Sequence, residues 1–427
     1  MLIQSKSEEE VLEYLTKYYA IRPDQKKTNG EVFTKIELVD ILLDKLPKKV
    51  WSKPHYTWLD PSAGVGNFLI PIYFRLMNGL RKQYPNKSQR QTHILEKMLF
   101  GVEIDNRNIQ VLKNVLGLKA NIIKHDFLTA SFSHGFDIIV GNPPFQEDSS
   151  GGNKGGKGKL YEKFVEKSLE YLTPGGYVSF IIPTNLFGGG TPLYETLVQK
   201  RIPFINFNKE LERYFPSIQQ KICIFMLQNK ASVTDSWTTI ENQTGTQFKI
   251  KLKNRPVNPI HDWTPYTEKL IHRYISDTRN AFVYNRGLSI SSYRGKQYCL
   301  FYKPNSFLYT NNQELAVGIG VPKVVVYVIS IELKSELDDK GKCGVGPNIV
   351  YYPIQNVSEG NKLYAFLQSE EYKIMARATK INRQFIKLGF LFYLNMDKIL
   401  SNSNSSKRVT KTHRTRKGMD KKTRKKK

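Results

Sequence analysis

The sequence predicts an α/β protein, a doubly wound and mostly parallel sheet with a second domain of different texture behind it. Three observations support that class. Near-continuous apolar runs recur at "MLFGVEI" (98–104), "NIIKHD" (121–126), "FDIIVGN" (136–142) and "YVSFIIP" (177–183), as expected for strands covered on both faces. Helical patterns separate these runs, and strand, helix, strand in alternation makes neighbouring strands parallel. The first three runs end at an acid or an amide, so polar groups collect at the carboxyl ends of the strands, where open sheets of this kind bind ligands.

In chain order, "YTWLD" (56–60) reads as a first strand running into a Gly-rich turn, and "NFLIPIYFRLMNGL" (67–80) as the helix after it, with Pro71 in its first turns. The stretch "RKQYPNKSQRQTHILEK" (81–97) lengthens the first crossover. "RNIQVLKNVLGL" (107–118) is a helix with a Gly stop, and "LYEKFVEKSLEYL" (160–172) a helix carrying Leu160, Phe164, Leu169 and Leu172 near one face before Thr173-Pro174-Gly175-Gly176 ends it. From about Ser232 the pattern turns to short alternating stretches rich in Asn, Thr, Tyr and basic residues, as in "RYISDTRNAFVYNRGLSISSYRGKQYCLFYK" (273–303). The expected division is therefore 1–232, 233–400 and a basic, disordered tail over 401–427.

Composition narrows the partners. Lys and Arg outnumber Asp and Glu by 65 to 38, a formal charge of +27 that favours a polyanion such as nucleic acid. The three cysteines, Cys223, Cys299 and Cys343, are odd in number, far apart and without neighbouring His clusters, so neither a disulfide framework nor a zinc site is expected, and a reducing compartment is. The acidic start "MLIQSKSEEE" lacks an apolar signal core, and "VVVYVIS" (324–330) is too short to span a bilayer, so a soluble, intracellular protein is expected.

The chemistry lies at the strand ends. "LDPSAGVGNF" (59–68) places Asp60 before Gly64-x-Gly66 and a helix start, a turn in which backbone approaches a ligand and free N–H groups face it. The third glycine of the dinucleotide fingerprint is missing, which disfavours a nicotinamide or flavin cofactor. "GVEID" (101–105) places Glu103 where an acid accepts both hydroxyls of a ribose, and "HDFL" (125–128) places Asp126 where it accepts from an adenine amino group beside an apolar wall. "GNPPF" (141–145) then ends the fourth strand in a stiff segment: an amide oxygen on Asn142 and the carbonyl at Pro143 converge as a double acceptor for an NH₂ group, and Phe145 offers a ring for stacking. An exocyclic amine is a poor nucleophile because its lone pair is conjugated with the base. Two acceptors on its hydrogens draw the nitrogen toward tetrahedral geometry and stabilise its developing positive charge.

"EVFTKIELVDILL", "DPSAGVGNF", "GVEID", "HDFL" and "NPPF", in that order over roughly residues 30–230, resemble the S-adenosylmethionine-dependent DNA adenine-N6 methyltransferases of type II restriction–modification systems, in the γ arrangement that puts target recognition last. The resemblance implies a Rossmann-like methyltransferase fold, S-adenosylmethionine as cofactor and double-stranded DNA as substrate. It implies that Thr34, Asp60, Gly64 and Gly66 line the methionine part of the cofactor, Glu103 the ribose, and Ile104, Asp126, Phe127 and Phe164 the adenine. Where the family has Thr-Pro, this chain has Thr34-Lys35; where it more often has Tyr, this chain has Phe145. Asn142 and Pro143 would hold the target amine, and "RYFPSIQQKICIFMLQ" (213–228) resembles the segment whose aromatic, here Phe215, packs on the other face of the extruded base. A core role for Phe215 stands beside that reading. Residues 233–400 would be the target-recognition domain. No metal and no membrane is required, a monomer on DNA is expected, and a separate cognate endonuclease is an open partner.

Competing readings share the Asn-Pro-Pro-aromatic motif: a methyltransferase for ribosomal RNA guanine or for a protein glutamine, or a DNA-binding subunit that keeps the methylase fold without its activity. The Gly/Lys-rich insertion "EDSSGGNKGGKGK" (147–159) reads equally as a loop over the flipped nucleotide or as a plain connection. "IELK" (331–334) has the Glu-x-Lys of metal-dependent nucleases without an upstream acid, so nuclease activity is not expected. In the tail, Lys407 to Lys427 holds twelve Lys or Arg against one Asp, a density suited to phosphate contact, nuclear import or solubility.

Overall fold

The computed structural model describes residues 2–20, 34–145, 159–216, 218, 220–232, 236–287, 289–328, 334–379 and 388–401. The Gly/Lys-rich insertion up to residue 158, Ile331 to Leu333 and the basic tail from residue 402 lie outside the described residues. The chain divides into two units, Met1–Arg255 and Pro256–Lys427.

The first unit is organised by one nine-stranded sheet. Its strands are β1 (Trp58–Asp60), β2 (Leu99–Glu103), β3 (Asn121–Lys124), β4 (Phe136–Gly141), β5 (Leu172–Pro183), β6 (Lys200–Asn206), β7 (Ile222–Ala231), β8 (Thr238–Glu241) and β9 (Gln247–Ile250), in the order β3-β2-β1-β4-β5-β7-β6-β8-β9. β1 to β5 pair in parallel, while β7 runs antiparallel to both β5 and β6. The order reverses at β1, which lies between β2 and β4, so the crevice of a doubly wound sheet opens at the carboxyl ends of these three strands. The apolar runs end there: Trp58, Ile138, Val140, Ile181 and Ile224 are fully buried, each contributing roughly 1.5–3 kcal/mol in transfer terms.

Helices follow the sequence logic closely. Leu69–Gly79 comes after the glycine turn and buries Leu69, Ile70, Ile72, Tyr73 and Leu76 on the sheet. The Asp105 side chain caps Asn106–Leu116, and Gly117, at φ 103, supplies the stop after it. The lengthened crossover is itself helical over Lys87–His93 and Ile94–Met98. Leu160–Tyr171 ends at the expected place, but Thr173 to Gly176 are drawn into β5 rather than forming a separate turn; the irregularity survives as a register shift between Phe136 opposite Leu172 and Ile138 opposite Tyr177.

Two sequence expectations are corrected. The break expected near residue 232 falls at Arg255, because β8 pairs with β6 and turns back through an Asn242-anchored loop into β9, adding two strands to the first sheet. Their short, Asn- and Thr-rich pattern resembles that of the second unit, which is why texture alone put them on the wrong side. Cys299 and Cys343 are also joined as a disulfide, contrary to the expectation of none. Strands Tyr298–Lys303 and Gly344–Val345 pair in parallel with Leu300 opposite Gly344, so a separation of 44 residues closes to adjacent register positions.

The second unit holds that three-stranded sheet, a four-stranded sheet centred on Lys323–Tyr327 and Ile349–Pro353, and helices that composition did not announce, among them Pro265–Tyr274, Val357–Leu367 and Glu370–Ala378. Val324, Val326, Val350, Leu363, Tyr372 and Met375 form its core. Lys323 is fully buried, its ammonium satisfied by Asp338 at 3.0 Å and by the carbonyls of Gly318 and Val321. Among the described residues no helix is long and apolar enough to cross a membrane.

Candidate active site at the strand ends

The structure brings the predicted residues of the first unit to one end of the sheet. After β1 the chain turns through Gly64 (φ 54) and Gly66 (φ 102), both in the left-handed region that a side chain disfavours. A Cβ on Gly66 would also lie 2.8 Å from Leu112 Cδ2, so the turn is held close against the helix after β2. Glu103, at the end of β2, ties the two strand ends together: Gly64 N–H donates to Oε2 at 2.7 Å, and the N–H groups of Ile104 and Asp105 donate to Oε1 at 2.8 and 2.7 Å. These three charge-assisted backbone bonds hold the carboxylate fixed at the strand end.

Asp60 is fully buried at the end of β1. Burial pushes its carboxyl from the ordinary 3.8 up to about 7, with the nearby Glu103 charge adding to the rise and the Ser62 N–H, 3.0 Å from Oδ1, opposing it. A Cβ on Gly141 would sit 2.9 Å from Asp60 Oδ1, so only glycine lets the end of β4 pass this acid.

The apolar wall is partly assembled. Phe127 and Phe164 are buried with ring centroids 5.3 Å apart, joining the segment after β3 to the helix after β4. Ile104 is 67% exposed at the end of β2, an uncovered apolar side chain beside Glu103. Asp126 is exposed, with Oδ1 accepting from Leu128 N–H at 2.9 Å, and His125 N–H donates to the Glu103 carbonyl, which keeps this segment beside the β2 end.

Beyond β4, Asn142 Nδ2 donates to Thr34 Oγ1 at 3.0 Å, and Ser62 Oγ lies 3.4 Å from the Asn142 carbonyl. Asn142 Oδ1 is buried and has no hydrogen-bond partner among the described residues. A buried acceptor without a donor costs about 1–3 kcal/mol, so its presence in a strand-end crevice calls for an explanation. Pro143 is buried and Phe145 half-buried. Phe145 faces Phe215 with ring centroids 6.2 Å apart and planes tilted by 41°. Phe215 is only 3% exposed and belongs to the core cluster, so the structure supplies the aromatic pairing and the core role together.

Three residues escaped sequence reasoning. Ser62 contacts both Asp60 and Asn142, Asn67 Nδ2 holds the Thr34 carbonyl at 3.0 Å, and Asp105 caps the helix after β2. Only the last had a readable signal, an Asp before a helical pattern. Among the described residues no group of three or more His, Cys, Asp or Glu is placed to hold a metal ion.

Residues 83–211 match the family described as Eco57I restriction-modification methylase. This part of the chain is similar to a restriction–modification methylase domain. An uncharacterized adenine-specific methylase of Mycoplasma pneumoniae is 26% identical over 318 residues, 53% of this chain and 75% of that protein. The type II methyltransferase M.PaeR7I of Pseudomonas aeruginosa is 29% identical over 198 residues, 38% of this chain and 34% of its own. The chain thus spans about a third of that relative's length. Among solved structures, the type ISP restriction-modification enzyme LlaBIII bound to DNA has a TM-score of 0.57 at 12% identity, covering 90% of this chain and 40% of that one. The DrdV–DNA complex has a TM-score of 0.52 at 14% identity, covering 93% and 59%. At such identities these likenesses concern the fold. The first unit has a large, mostly parallel sheet, and its glycine turn, strand-end acid and uncovered apolar strand end suit a purine nucleoside bearing an amino-acid chain.

Proposed function

We propose that this chain methylates the exocyclic N6 amine of an adenine extruded from double-stranded DNA. The observation that carries the reading is the buried, partnerless Oδ1 of Asn142 at the end of β4, which no donor among the described residues meets. That oxygen and the Pro143 carbonyl accept the two hydrogens of the amine and stabilise the positive charge that develops on its nitrogen. Phe145 stacks on the base, and Phe215 takes the other face once the rings part. The methylated amine releases its proton to water, so no side-chain base is needed.

When bound, S-adenosylmethionine supplies the electrophilic methyl group. Glu103 would accept from its ribose, Ile104, Asp126, Phe127 and Phe164 would enclose its adenine, and Thr34, Asp60, Gly64 and Gly66 would meet its methionine part. Sequence recognition belongs, in this reading, to the region after the first sheet, whose basic residues match a phosphate backbone in sign. A paired adenine keeps its amine in the stack, and unstacking costs a few kcal/mol, which an aromatic clamp offsets.

The test is to incubate the purified chain with unmethylated DNA and S-adenosylmethionine and to sequence for modified bases. N6-methyladenine confined to one short sequence is expected. Methyl groups found only on RNA guanine or protein glutamine, or bound cofactor without transfer to DNA, would overturn the proposal. Asn142→Ala should lower the transfer rate by about 10²- to 10³-fold, as loss of one preorganised polar group does elsewhere, with cofactor affinity close to wild type. Turnover at the wild-type rate would remove Asn142 from the catalytic role.

A further inference from the structure

We infer that one rigid turn of the second unit, presenting Arg286, Ser289, Ser291, Ser292, Arg294 and Lys296, grips the phosphate backbone of duplex DNA; the inference rests on the DNA substrate proposed above. Charge singles the turn out. Between Asp277 and Glu314 the sequence holds five cations, Arg279, Arg286, Arg294, Lys296 and Lys303, and no acid. Arg286, Arg294 and Lys296 are exposed, and none of them pairs with a carboxylate among the described residues, the bounding Asp277 and Glu314 included. Other exposed cations find acids within the chain, as Lys6 meets Glu10 at 2.9 Å and Lys17 meets Glu13 at 2.7 Å. Like charges gathered without partners repel one another, and a polyanion relieves that repulsion.

The groups between the cations suit the same partner. Ser289, Ser291 and Ser292 are exposed, with Ser289 Oγ 2.7 Å from Ser291 Oγ and 3.3 Å from Ser292 Oγ. Their hydroxyls meet one another rather than the protein behind them. Hydroxyls and cations together are the donors that phosphate oxygens take.

The turn is also held in shape before anything binds. Ser292 N–H donates to the Ser289 carbonyl at 2.9 Å and Tyr293 N–H to the Ile290 carbonyl at 3.1 Å, while the Tyr293 ring is buried in a small apolar cluster with Leu300 and Ala316. Side-chain amides fix both ends. Asn285 Oδ1 accepts from Gly287 N–H at 2.9 Å and its Nδ2 donates to the Val345 carbonyl at 2.7 Å. Asn311 Oδ1 accepts from the N–H groups of Lys296 and Gln297 at 3.0 and 3.3 Å, and a Cβ on Gly295 would lie 2.4 Å from Asn311 N. The backbone is thus anchored while the polar side chains stay in solvent, so a phosphate that arrives has little left to order.

Phosphate contacts carry no sequence information, so losing them should weaken binding to every duplex alike and flatten its salt dependence. The experiment measures the affinity of the full chain for two duplexes of unrelated sequence, without cofactor, over a range of salt and beside thermal unfolding. It compares wild type with Arg286→Gln/Arg294→Gln/Lys296→Gln, with the charge-keeping Arg286→Lys/Arg294→Lys, and with Lys6→Gln/Lys17→Gln, whose cations already have acids. The triple variant should lower the slope of log affinity against log salt by about 2.7 on both duplexes, at about 0.9 per phosphate contact, with a melting temperature close to wild type. The charge-keeping variant and the acid-paired control should both keep the wild-type slope.

An unchanged slope in the triple variant overturns the inference. So does a fall as large in the charge-keeping variant, which would assign the effect to arginine packing, or an equal fall per charge in the acid-paired control, which would assign it to net charge. A loss confined to one of the two duplexes would make the turn a reader of bases, and a loss seen on duplex RNA but not on DNA would give it another partner; either result overturns the phosphate grip proposed here. No methyl group moves in this measurement. A chain that loses slope as expected yet methylates no DNA would uphold the surface and refute the proposed function, and a chain that methylates DNA with an unaltered slope would do the reverse.

Discussion

Phe215 is the residue on which the geometry and the chemistry press hardest, and Phe215→Leu is the substitution that separates them. The ring is 3% exposed within the core cluster, yet its neighbour on one side is Phe145, with centroids 6.2 Å apart and planes tilted by 41°. A base sandwiched between two rings needs about 7 Å between them, twice a van der Waals contact of about 3.5 Å, so an opening on the order of 1 Å and a levelling of the tilt would admit it. Phe215→Ala confounds two effects. As a buried Phe truncated to Ala it should cost about 3–5 kcal/mol of stability, and as a lost stacking platform about 1–3 kcal/mol of binding to an extruded base. Phe215→Leu keeps most of the buried volume, so its stability cost should be of the order of 1 kcal/mol, while the stacking surface is removed outright. The assay is the fluorescence and affinity of DNA carrying 2-aminopurine at the mapped target, read beside thermal unfolding. The Leu variant should bind the analogue more weakly and quench it differently from wild type while melting within a few degrees of it. If Phe215→Leu leaves both analogue signals unchanged, the ring is core alone and the clamp is wrong.

The same site and the tail carry further expected outcomes. Gly66→Ala must place a Cβ at φ 102 and 2.8 Å from buried Leu112, so it should lose about 1–3 kcal/mol, visible as a lower melting temperature; an unaltered melting curve would refute the packing argument. Asp60 holds a proton in the fold up to about pH 7, whereas an unfolded Asp has released it above an ordinary 3.8, so the folded state binds more protons between these values and the stability Asp60 contributes falls as pH rises through them. Asp60→Asn should flatten that part of the stability–pH curve, and an unchanged slope would mean that the buried carboxyl is not its source. A chain ending at Ser406 should keep the methylated sequence and the rate at saturating DNA but bind more weakly, with the slope of log affinity against log salt smaller by several units at about 0.9 per phosphate contact; an unchanged slope would leave the tail as an address signal or a solubility device.

The features legible in the sequence were those that depend on local pattern. Strands of a parallel sheet announce themselves as apolar runs, so the buried β2 and β4 and the half-buried edge strand β3 were placed to within two residues of their observed ends. The acids and glycines at those ends could be read because a doubly wound sheet gathers its carboxyl ends at one crevice, and Glu103 accepting the Gly64 N–H is that gathering made visible. Long-range register was not readable. Thr34 meets Asn142 across 108 residues, and Cys299 meets Cys343 only because Leu300 pairs with Gly344. No periodicity encodes either meeting. The helix Pro265–Tyr274 was readable in principle, since Thr264 and Thr267 form a capping box with Pro265 in the first turn, but the surrounding Tyr, Asn and basic residues hid it.

The same distinction explains where the chemistry sits. Much of the first unit satisfies its polar groups locally, through caps, turns and sheet ladders. At the end of β4 the logic inverts: two prolines remove backbone donors, Gly141 admits the buried acid of β1, and the Asn142 NH₂ is committed to Thr34 while no donor among the described residues reaches Oδ1. An acceptor in such a place is satisfied from outside the fold. A chain under selection for stability alone would gain by replacing Asn142 with a small apolar residue and losing the orphan oxygen, since removing an unsatisfied buried group recovers about 1–3 kcal/mol. Under the proposed function, keeping it stores a modest, local cost that an arriving amine would offset, and the offset would be larger as the nitrogen becomes positive than in the resting base. Such differential binding is what raises a rate rather than merely an affinity.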